Sequence, residues 1–174
     1  MSVGVFEKGL TVSRNDGSEH DGSVHQVVEA ASALDDKDFL AVATPGAGKT
    51  TFALACARWA LSNERRRLVI VAPTTHLKAQ WAQAAHRMGL HVDHNWSPAD
   101  GVAKDVHGIV TTFQQVATAD TAKKLRGLSH DAFVVLDEIH FLDDRERGTT
   151  WEEVLIYLPS TVQVLGLSAT LQNI

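Results

Sequence analysis

The 174-residue chain is 44% hydrophobic, which is enough for the core of one α/β domain and short for two. Its formal charge of −5 excludes an overall cationic field, so any contact with nucleic acid must come from local patches, backbone amides and helix N-termini. A single cysteine excludes an intramolecular disulfide, and no stretch approaches the roughly 18 apolar residues of a membrane span. These features predict a cytoplasmic protein with no membrane partner.

The N-terminal stretch is short and interrupted by charge. Glu7 and Lys8 break the apolar run of residues 1–12, which therefore lacks the uninterrupted apolar region of a signal peptide. Residues 13–23 are polar and contain glycine, which predicts a loop. We therefore divide the chain into residues 1–22, an arm with a short strand and a polar loop, and residues 23–174, the main domain.

Apolar runs then alternate with helix-like stretches. The runs are continuously hydrophobic, as is typical of strands covered on both faces, and occupy residues 39–43, 68–72, 108–112, 132–136 and 162–167. The helix-like stretches are residues 25–34, 49–63, 75–88, 113–126 and 150–158. This alternation predicts βαβ units and an α/β fold with a mainly parallel sheet. Polar motifs follow the strands at their carboxyl ends, where open α/β sheets bind ligands.

The first of these motifs is a phosphate-binding loop over residues 43–50. Its small residues let backbone N–H groups approach a triphosphate, and the helix that follows directs its positive end at the same anion. Lys49 reaches the β- and γ-phosphates, and the Thr50 hydroxyl suits Mg²⁺. Only the first consensus glycine is missing, where Ala43 stands. The predicted nucleotide-binding residues are Gly46, Ala47, Gly48, Lys49, Thr50 and Thr51.

A pair of carboxylates follows the fourth apolar run. Phosphoryl transfer to water needs a metal held in place and a water oriented for in-line attack. We assign Asp137 to the Mg²⁺ shell and Glu138 to the water, with Lys49 as the third catalytic residue. The alternative for such a pair in isolation is a solvated loop start.

Together the motifs resemble the DExH-box group of the superfamily 2 helicases and translocases, from about Val24 onward. Residues 43–50 are similar to motif I, in which alanine at the first position is usual, and 137–140 (Asp-Glu-Ile-His) are similar to motif II. The runs 72–80, 110–114 and 168–170 resemble motifs Ia, Ib and III. Residues 143–148, 151–153 and 165–171 look most like the Ski-type members. The resemblance implies a RecA-like P-loop fold, a three-layer sandwich, with ATP and Mg²⁺ as cofactors.

The resemblance also implies further roles. His140, Ser168 and Thr170 would couple the nucleotide state to movement. Motifs Ia and Ib would hold the sugar-phosphate backbone through Pro73, Thr74, Thr75, Thr111 and Thr112, for which the alternative is an ordinary role in turns and helix caps. Gln26 would read the adenine, although it lacks the usual aromatic or proline context, and the alternative is a glutamine on a helix surface.

We therefore expect the first RecA-like domain of an ATP-dependent helicase or translocase acting on single-stranded or duplex DNA or RNA. We expect the second RecA-like domain, with its arginine fingers, to be absent from this chain and supplied in cis or in trans, so that the chain alone hydrolyses ATP slowly or not at all. One alternative is a truncated binding module that uses ATP, or a partner's second domain, as a regulatory ligand. Another is a protein-export motor, against which His140 and residues 168–170 argue.

Overall fold

The computed structural model describes residues 10–13, 19–22, 38–43, 46–62, 67–97, 103–116, 132–139, 158 and 161–169. Its strands are β1 (Leu10–Ser13), β2 (Glu19–Gly22), β3 (Phe39–Ala43), β4 (Arg67–Ala72), β5 (Val92–Asp93), β6 (Gly108–Thr112), β7 (Ala132–Leu136) and β8 (Gln163–Ser168). Its helices are α1 (Lys49–Ser62), α2 (Thr75–Arg87) and α3 (Phe113–Val116).

The eight strands form one sheet in the order β2-β1-β3-β8-β7-β4-β6-β5. The six strands from β3 to β5 in this order are parallel, whereas β1 pairs antiparallel with both β2 and β3. Because parallel strands end at the same edge, the segments that follow β3, β4, β6, β7 and β8 meet there. The sheet thereby gathers the motifs that lie far apart in sequence.

The five strands expected from continuous apolar runs are confirmed to within one residue at each end. The helices expected at 49–63 and 75–88 are confirmed as α1 and α2. The expected helices at 25–34 and at 113–126 beyond Val116 lie outside the described residues, and so does the one at 150–158 except for Leu158, which is not helical.

The loop expected over residues 13–23 is wrong for Glu19–Gly22, which forms β2. This strand carries no apolar pattern, and its ladder with β1, in which Val12 faces His20, defines it instead. A polar edge strand is compatible with a sheet because backbone hydrogen bonds suffice for pairing there. The division of the chain at residue 22 stays a prediction.

In β3, β4, β6, β7 and β8, alternate side chains belong to different cores. On one face, Ala41, Ile70, Val135 and Leu167 pack with the apolar side of α1 and with Trp81 of α2. The opposite face has a second cluster, in which the neighbouring strand residues pack with Trp96 and with Phe113 and Val116 of α3. A strand with both faces buried is apolar at most positions, which explains the apolar runs in the sequence.

Among the described helices, none combines the length and the apolar character that crossing a bilayer requires. The cytoplasmic location stays a prediction of the sequence.

Candidate nucleotide and metal site

The chain makes a tight turn between β3 and α1. Gly46 and Gly48 have φ values of 82° and 87°, a left-handed conformation that glycine adopts without steric cost. Helix α1 begins at Lys49, and the N–H of Phe52 donates to the carbonyl of Gly48 at 2.9 Å. The first turn of α1 contains no acidic residue, so its N-terminal amides meet no competing carboxylate from that turn. This geometry suits an anion at the helix N-terminus.

The side chains of this segment differ in exposure. Ala47, Lys49 and Thr50 are half-buried, whereas Thr51 is exposed. A half-buried Thr50 in the first turn of α1 can offer its hydroxyl to a ligand at the helix end. The exposure of Thr51 leaves its side chain on the outer side of the helix.

Ser168 of motif III lies close to the start of the phosphate-binding segment. It is the last residue of β8 and the ladder partner of Val42, one residue before the end of β3. Its side chain is fully buried. His140, Thr170 and Gln26, the other residues assigned to coupling and adenine recognition, lie outside the described residues, and so do Thr44 and Pro45.

The acidic pair stands where β7 leaves the sheet. The backbone N–H of Asp137 still donates to the carbonyl of Val71 at 3.0 Å, which continues the pairing of β7 with β4 by one step. Alternation along β7 directs Asp137 to the same face as Phe133 and Val135, the face covered by α1 and α2. The pair therefore lies between the two helices that carry motifs I and Ia.

Glu138 has a φ of 57°, so it adopts a left-handed conformation that is uncommon for a residue with a side chain. Its carboxylate Oε1 lies 3.6 Å from Nζ of Lys49. The side chains of Lys49 and Glu138 are 11% and 27% exposed, so the ion pair lies in a partly shielded cleft. Because left-handed backbone strain collects at functional sites, the conformation of Glu138 is consistent with an assigned task.

Asp137 faces a different partner. Its Oδ2 accepts a hydrogen bond of 2.9 Å from the indole Nε1 of Trp81, which is 3% exposed. Burial raises the pKa of the Asp137 carboxyl, the nearby Glu138 carboxylate raises it too, and the hydrogen bond from Trp81 and the charge of Lys49 oppose this. The carboxyl thus pays a desolvation cost, which a bound cation would offset.

The donors at this site fit Mg²⁺. Within the described ranges no three His, Cys, Asp or Glu residues cluster as a metal-binding group, so a cage built from protein ligands is not present there. Mg²⁺ is usually held by one or two carboxylates together with phosphate oxygens and waters. A threonine hydroxyl at the start of α1 and one half-buried carboxylate after β7 are hard oxygen donors of that type.

Residues of motifs Ia and Ib form a second polar group at the same edge. Thr74 is the N-cap of α2, and its hydroxyl accepts from the N–H of Leu77 at 3.4 Å. Pro73 is half-buried, and Thr74 and Thr75 are exposed. These three positions are accessible to a ligand, although Thr74 also serves the capping role that was the alternative to nucleic-acid contact.

Thr111 and Thr112 are buried, and both bond to Gln115 of α3. The Thr111 hydroxyl and the N–H of Thr112 donate to Oε1 of Gln115 at 3.2 and 3.1 Å, and the Thr112 hydroxyl caps α3 by accepting from the N–H of Gln115 at 3.3 Å. The buried ammonium of Lys78 donates to the same Oε1 at 3.2 Å. Burial lowers the pKa of Lys78, and the charge of Asp93 opposes this shift.

Sequence reasoning missed three of these residues. It gave no role of their own to Trp81, Lys78 or Gln115. A buried indole N–H requires an acceptor, but the sequence does not show which distant segment supplies one to Trp81. No comparable signal existed for Gln115, whose partners come from β6 and α2.

The sequence model of the DEAD/DEAH box helicase family matches residues 24–174 of the chain. The chain belongs to this family. An uncharacterised protein of Mycobacterium tuberculosis is 40% identical over 121 residues, which cover 68% of this chain and 20% of that protein. The DExH-box ATP-dependent RNA helicase DExH15 of Arabidopsis thaliana, a chloroplastic protein, is 48% identical over 61 residues. These residues cover 35% of this chain and 5% of that protein. The chain thus spans about a fifth or less of the length of these relatives.

Solved helicase structures share the fold of this DEAD/DEAH box domain. The UvsW helicase of bacteriophage T4 superimposes with a TM-score of 0.64 at 20% identity, covering 92% of this chain and 56% of that one. The SWI2/SNF2 ATPase core of Sulfolobus solfataricus, solved with double-stranded DNA, also gives a TM-score of 0.64, at 16% identity. The superposition covers 84% of this chain and 30% of that one. At such identities the likeness shows the fold alone, and it is the RecA-like fold expected from the sequence.

Proposed function

We propose that this domain is the ATP-binding motor domain of a nucleic-acid helicase or translocase, which couples ATP hydrolysis to movement on DNA or RNA. The observation that carries the proposal is the 3.6 Å contact between Lys49 of the phosphate loop and Glu138 of motif II. It brings the residue suited to bind the phosphates next to the carboxylate suited to orient water.

Phosphate binding, water activation and metal binding are assigned to different residues of the site. The backbone of Gly46, Ala47 and Gly48 and the N-terminus of α1 hold the phosphates, and Lys49 exchanges Glu138 for a phosphate oxygen when the nucleotide binds. Glu138, released from that pair, orients the attacking water and accepts its proton. Thr50 and Asp137 would hold Mg²⁺, which would neutralise negative charge on the phosphates.

Nucleic acid is proposed to contact the loop after β4. Pro73, Thr74 and Thr75 lie beside the N-terminus of α2, whose first turn carries no acidic residue, so hydroxyls and amides can meet a phosphate. The burial of Thr111 and Thr112 favours a supporting role for them over direct contact. One relative is named an RNA helicase and one neighbouring structure contains double-stranded DNA, so both polymers remain within the proposal.

The remaining parts of the motor are proposals from the sequence. Gln26 would read the adenine, and His140, Ser168 and Thr170 would transmit the nucleotide state. A second RecA-like domain, in cis or in trans, would complete the strand-binding groove and supply the arginine that stabilises the transition state. We therefore expect the 174-residue chain to bind Mg-ATP and to hydrolyse it slowly.

The test measures ATP binding and turnover by the chain with and without single-stranded DNA, duplex DNA and RNA. Lys49→Ala is expected to weaken ATP binding by roughly 10- to 100-fold, the size of a lost hydrogen bond to a charged group. Glu138→Gln should keep ATP binding and lower the residual turnover by roughly 10²- to 10⁴-fold, as expected for loss of a general base.

Two exposed residues before β6 provide matched controls. Lys104→Ala and Asp105→Asn remove the same kinds of charge at the opposite edge of the sheet and should change neither ATP binding nor turnover. ATP binding that Lys49→Ala leaves intact, or that the Lys104 control weakens equally, would contradict the assigned site. A polymer that raises turnover identifies the nucleic acid on which the domain acts.

A further inference from the structure

Trp81 combines packing in a hydrophobic core with a polar contact to the acidic pair. It lies on the buried side of α2 with Lys78 and Ala85, and it belongs to the core cluster under α1. Its Nε1 donates to Oδ2 of Asp137 at 2.9 Å, across 56 positions of sequence. A phenylalanine would fill most of the same volume and could not make this bond.

The contact completes a two-point attachment of Asp137. Its backbone N–H donates to Val71 of β4, and its carboxylate accepts from the helix that follows β4. Main chain and side chain are thus both held by the β4–α2 unit. A carboxylate restrained in this way loses less rotational freedom when it binds a cation, which is the advantage of preorganisation.

An indole is suited to this task for an electrostatic reason. It donates one hydrogen bond and carries no charge, so it orients the carboxylate without competing with a cation for it. A lysine or arginine at the same place would neutralise the carboxylate. Mutation of partners that orient metal-binding side chains in this manner typically lowers metal affinity or activity by roughly 10- to 100-fold.

We propose that Trp81 is a positioning residue for the magnesium site: its indole N–H holds the Asp137 carboxylate in the orientation that binds the Mg²⁺ of the nucleotide complex. This inference rests on the proposed function, because it takes Asp137 as the metal-binding carboxylate. It goes further by assigning the affinity for Mg²⁺ in part to a residue that touches neither nucleotide nor metal.

The test compares Trp81→Phe with the wild-type chain by measuring the binding of a fluorescent ATP analogue across a Mg²⁺ titration and in EDTA. Mg²⁺ should enhance binding of the analogue. Without the indole donor, the Mg²⁺ concentration that gives half of the maximal enhancement should rise by about tenfold. Affinity for the analogue in EDTA should change by less than about twofold, because the phosphate loop is untouched. A general packing defect would weaken binding in both conditions.

Trp96→Phe is the matched control. Trp96 is also buried, lies on the opposite face of the sheet, and its Nε1 has no hydrogen-bond partner within the described part of the chain. This substitution should leave the Mg²⁺ dependence unchanged. A further control is Asp137→Ala, in whose background Trp81→Phe should have no additional effect on the Mg²⁺ dependence.

A second measurement covers the case in which Trp81→Phe does not fold. Replacing Trp59, Trp96 and Trp151 by phenylalanine leaves Trp81 as the sole indole, and adding Mg²⁺ to the nucleotide complex should then change its emission. An unchanged Mg²⁺ dependence in Trp81→Phe, or an emission insensitive to Mg²⁺, overturns this inference alone. Failure of the wild-type chain to bind the analogue in either condition overturns the proposed function with it.

Discussion

Asp137 and Glu138 are adjacent in sequence and serve different partners. Asp137 ends the regular pairing of β7, and its carboxylate accepts a hydrogen bond from Trp81. The left-handed conformation of Glu138 directs the carboxylate of Glu138 itself to Lys49. A continued strand would have sent the two side chains to opposite faces of the sheet. The local break in the strand is therefore what lets both carboxylates reach the edge where the phosphate loop lies.

The half-buried carboxyl of Asp137 leads to a prediction about pH. Its pKa is raised from the ordinary value of 3.8, chiefly by burial, so the folded chain retains this proton at pH values where the unfolded chain has lost it. The resulting stability is fully present below pH 3.8 and is lost as the pH rises through the raised value. At neutral pH the ionised group is therefore a net cost to the fold.

Asp137→Asn should accordingly raise the thermal unfolding midpoint in neutral buffer, and the gain should shrink as the buffer becomes more acidic. The asparagine oxygen can still accept from Trp81, so the substitution removes the charge and leaves the hydrogen bond available. Differential scanning calorimetry across neutral and mildly acidic buffers measures the effect. A midpoint that falls at neutral pH would show that the charge stabilises the fold.

At the scale of elements, the close approach of β4 and β6 depends on a glycine. A Cβ at Gly108 would lie 1.8 Å from the carbonyl oxygen of Leu68, its neighbour in the β4–β6 ladder. The obstructing atom belongs to the backbone, so no side-chain rotation can relieve the clash. The strand that leads to motif Ib thus needs a residue with no side chain at its first position.

Gly108→Ala should therefore destabilise the chain by roughly 3 kcal/mol or more, at the upper end of the cost of overpacking. Gly166→Ala in β8 is the comparison, because its Cβ would meet only the ends of the Leu40 and Ile139 side chains, at 3.0 and 3.1 Å. We expect a cost of about 1 kcal/mol there. Urea unfolding of both variants provides the measurement, and equal costs would contradict the close approach of β4 and β6.

Motifs Ia and Ib are joined by hydrogen bonds between elements. Oε1 of Gln115 accepts from the Lys78 ammonium of α2, from the Thr111 hydroxyl and from the N–H of Thr112. Helix α2, which follows the loop proposed to contact nucleic acid, is therefore joined to motif Ib through one side chain. This arrangement explains why the two threonines are buried although the sequence motif predicts them as contacts.

At the scale of the whole molecule, the apolar side of α1 is enclosed between the sheet and α2. Cys56 lies there, and burial raises the pKa of its thiol to about 12. Only the thiolate reacts readily with disulfides and alkylating agents. The folded chain at neutral pH therefore protects its single cysteine both by burial and by protonation.

We expect Cys56 to react with a thiol reagent such as Ellman's reagent only when the domain unfolds, with a midpoint in urea that matches the loss of helical circular dichroism. Above pH 9.0, the ordinary value of the thiol pKa, stability should fall as the pH rises, because the unfolded chain releases a proton that the folded chain keeps until about pH 12. Rapid labelling of the folded chain in neutral buffer would contradict the enclosed position of α1.

The sequence by itself determined five of the strands, the helices α1 and α2 and the motifs at the carboxyl edge. Continuous apolar runs and the glycine-containing loop are local signals, and five strands and the family assignment follow from them. The contact between Lys49 and Glu138 was likewise implied, since both follow parallel strands.

The tertiary structure alone decided which elements became neighbours. It placed β8 between β3 and β7, added the polar strand β2 through backbone pairing with β1, and brought Trp81 and Gln115 to their partners. Periodicity in a sequence records which face of an element is buried, and it carries no record of what lies against that face. The partner of a buried indole or amide depends on packing between distant segments, so the orienting contact at Asp137 emerged only from the fold.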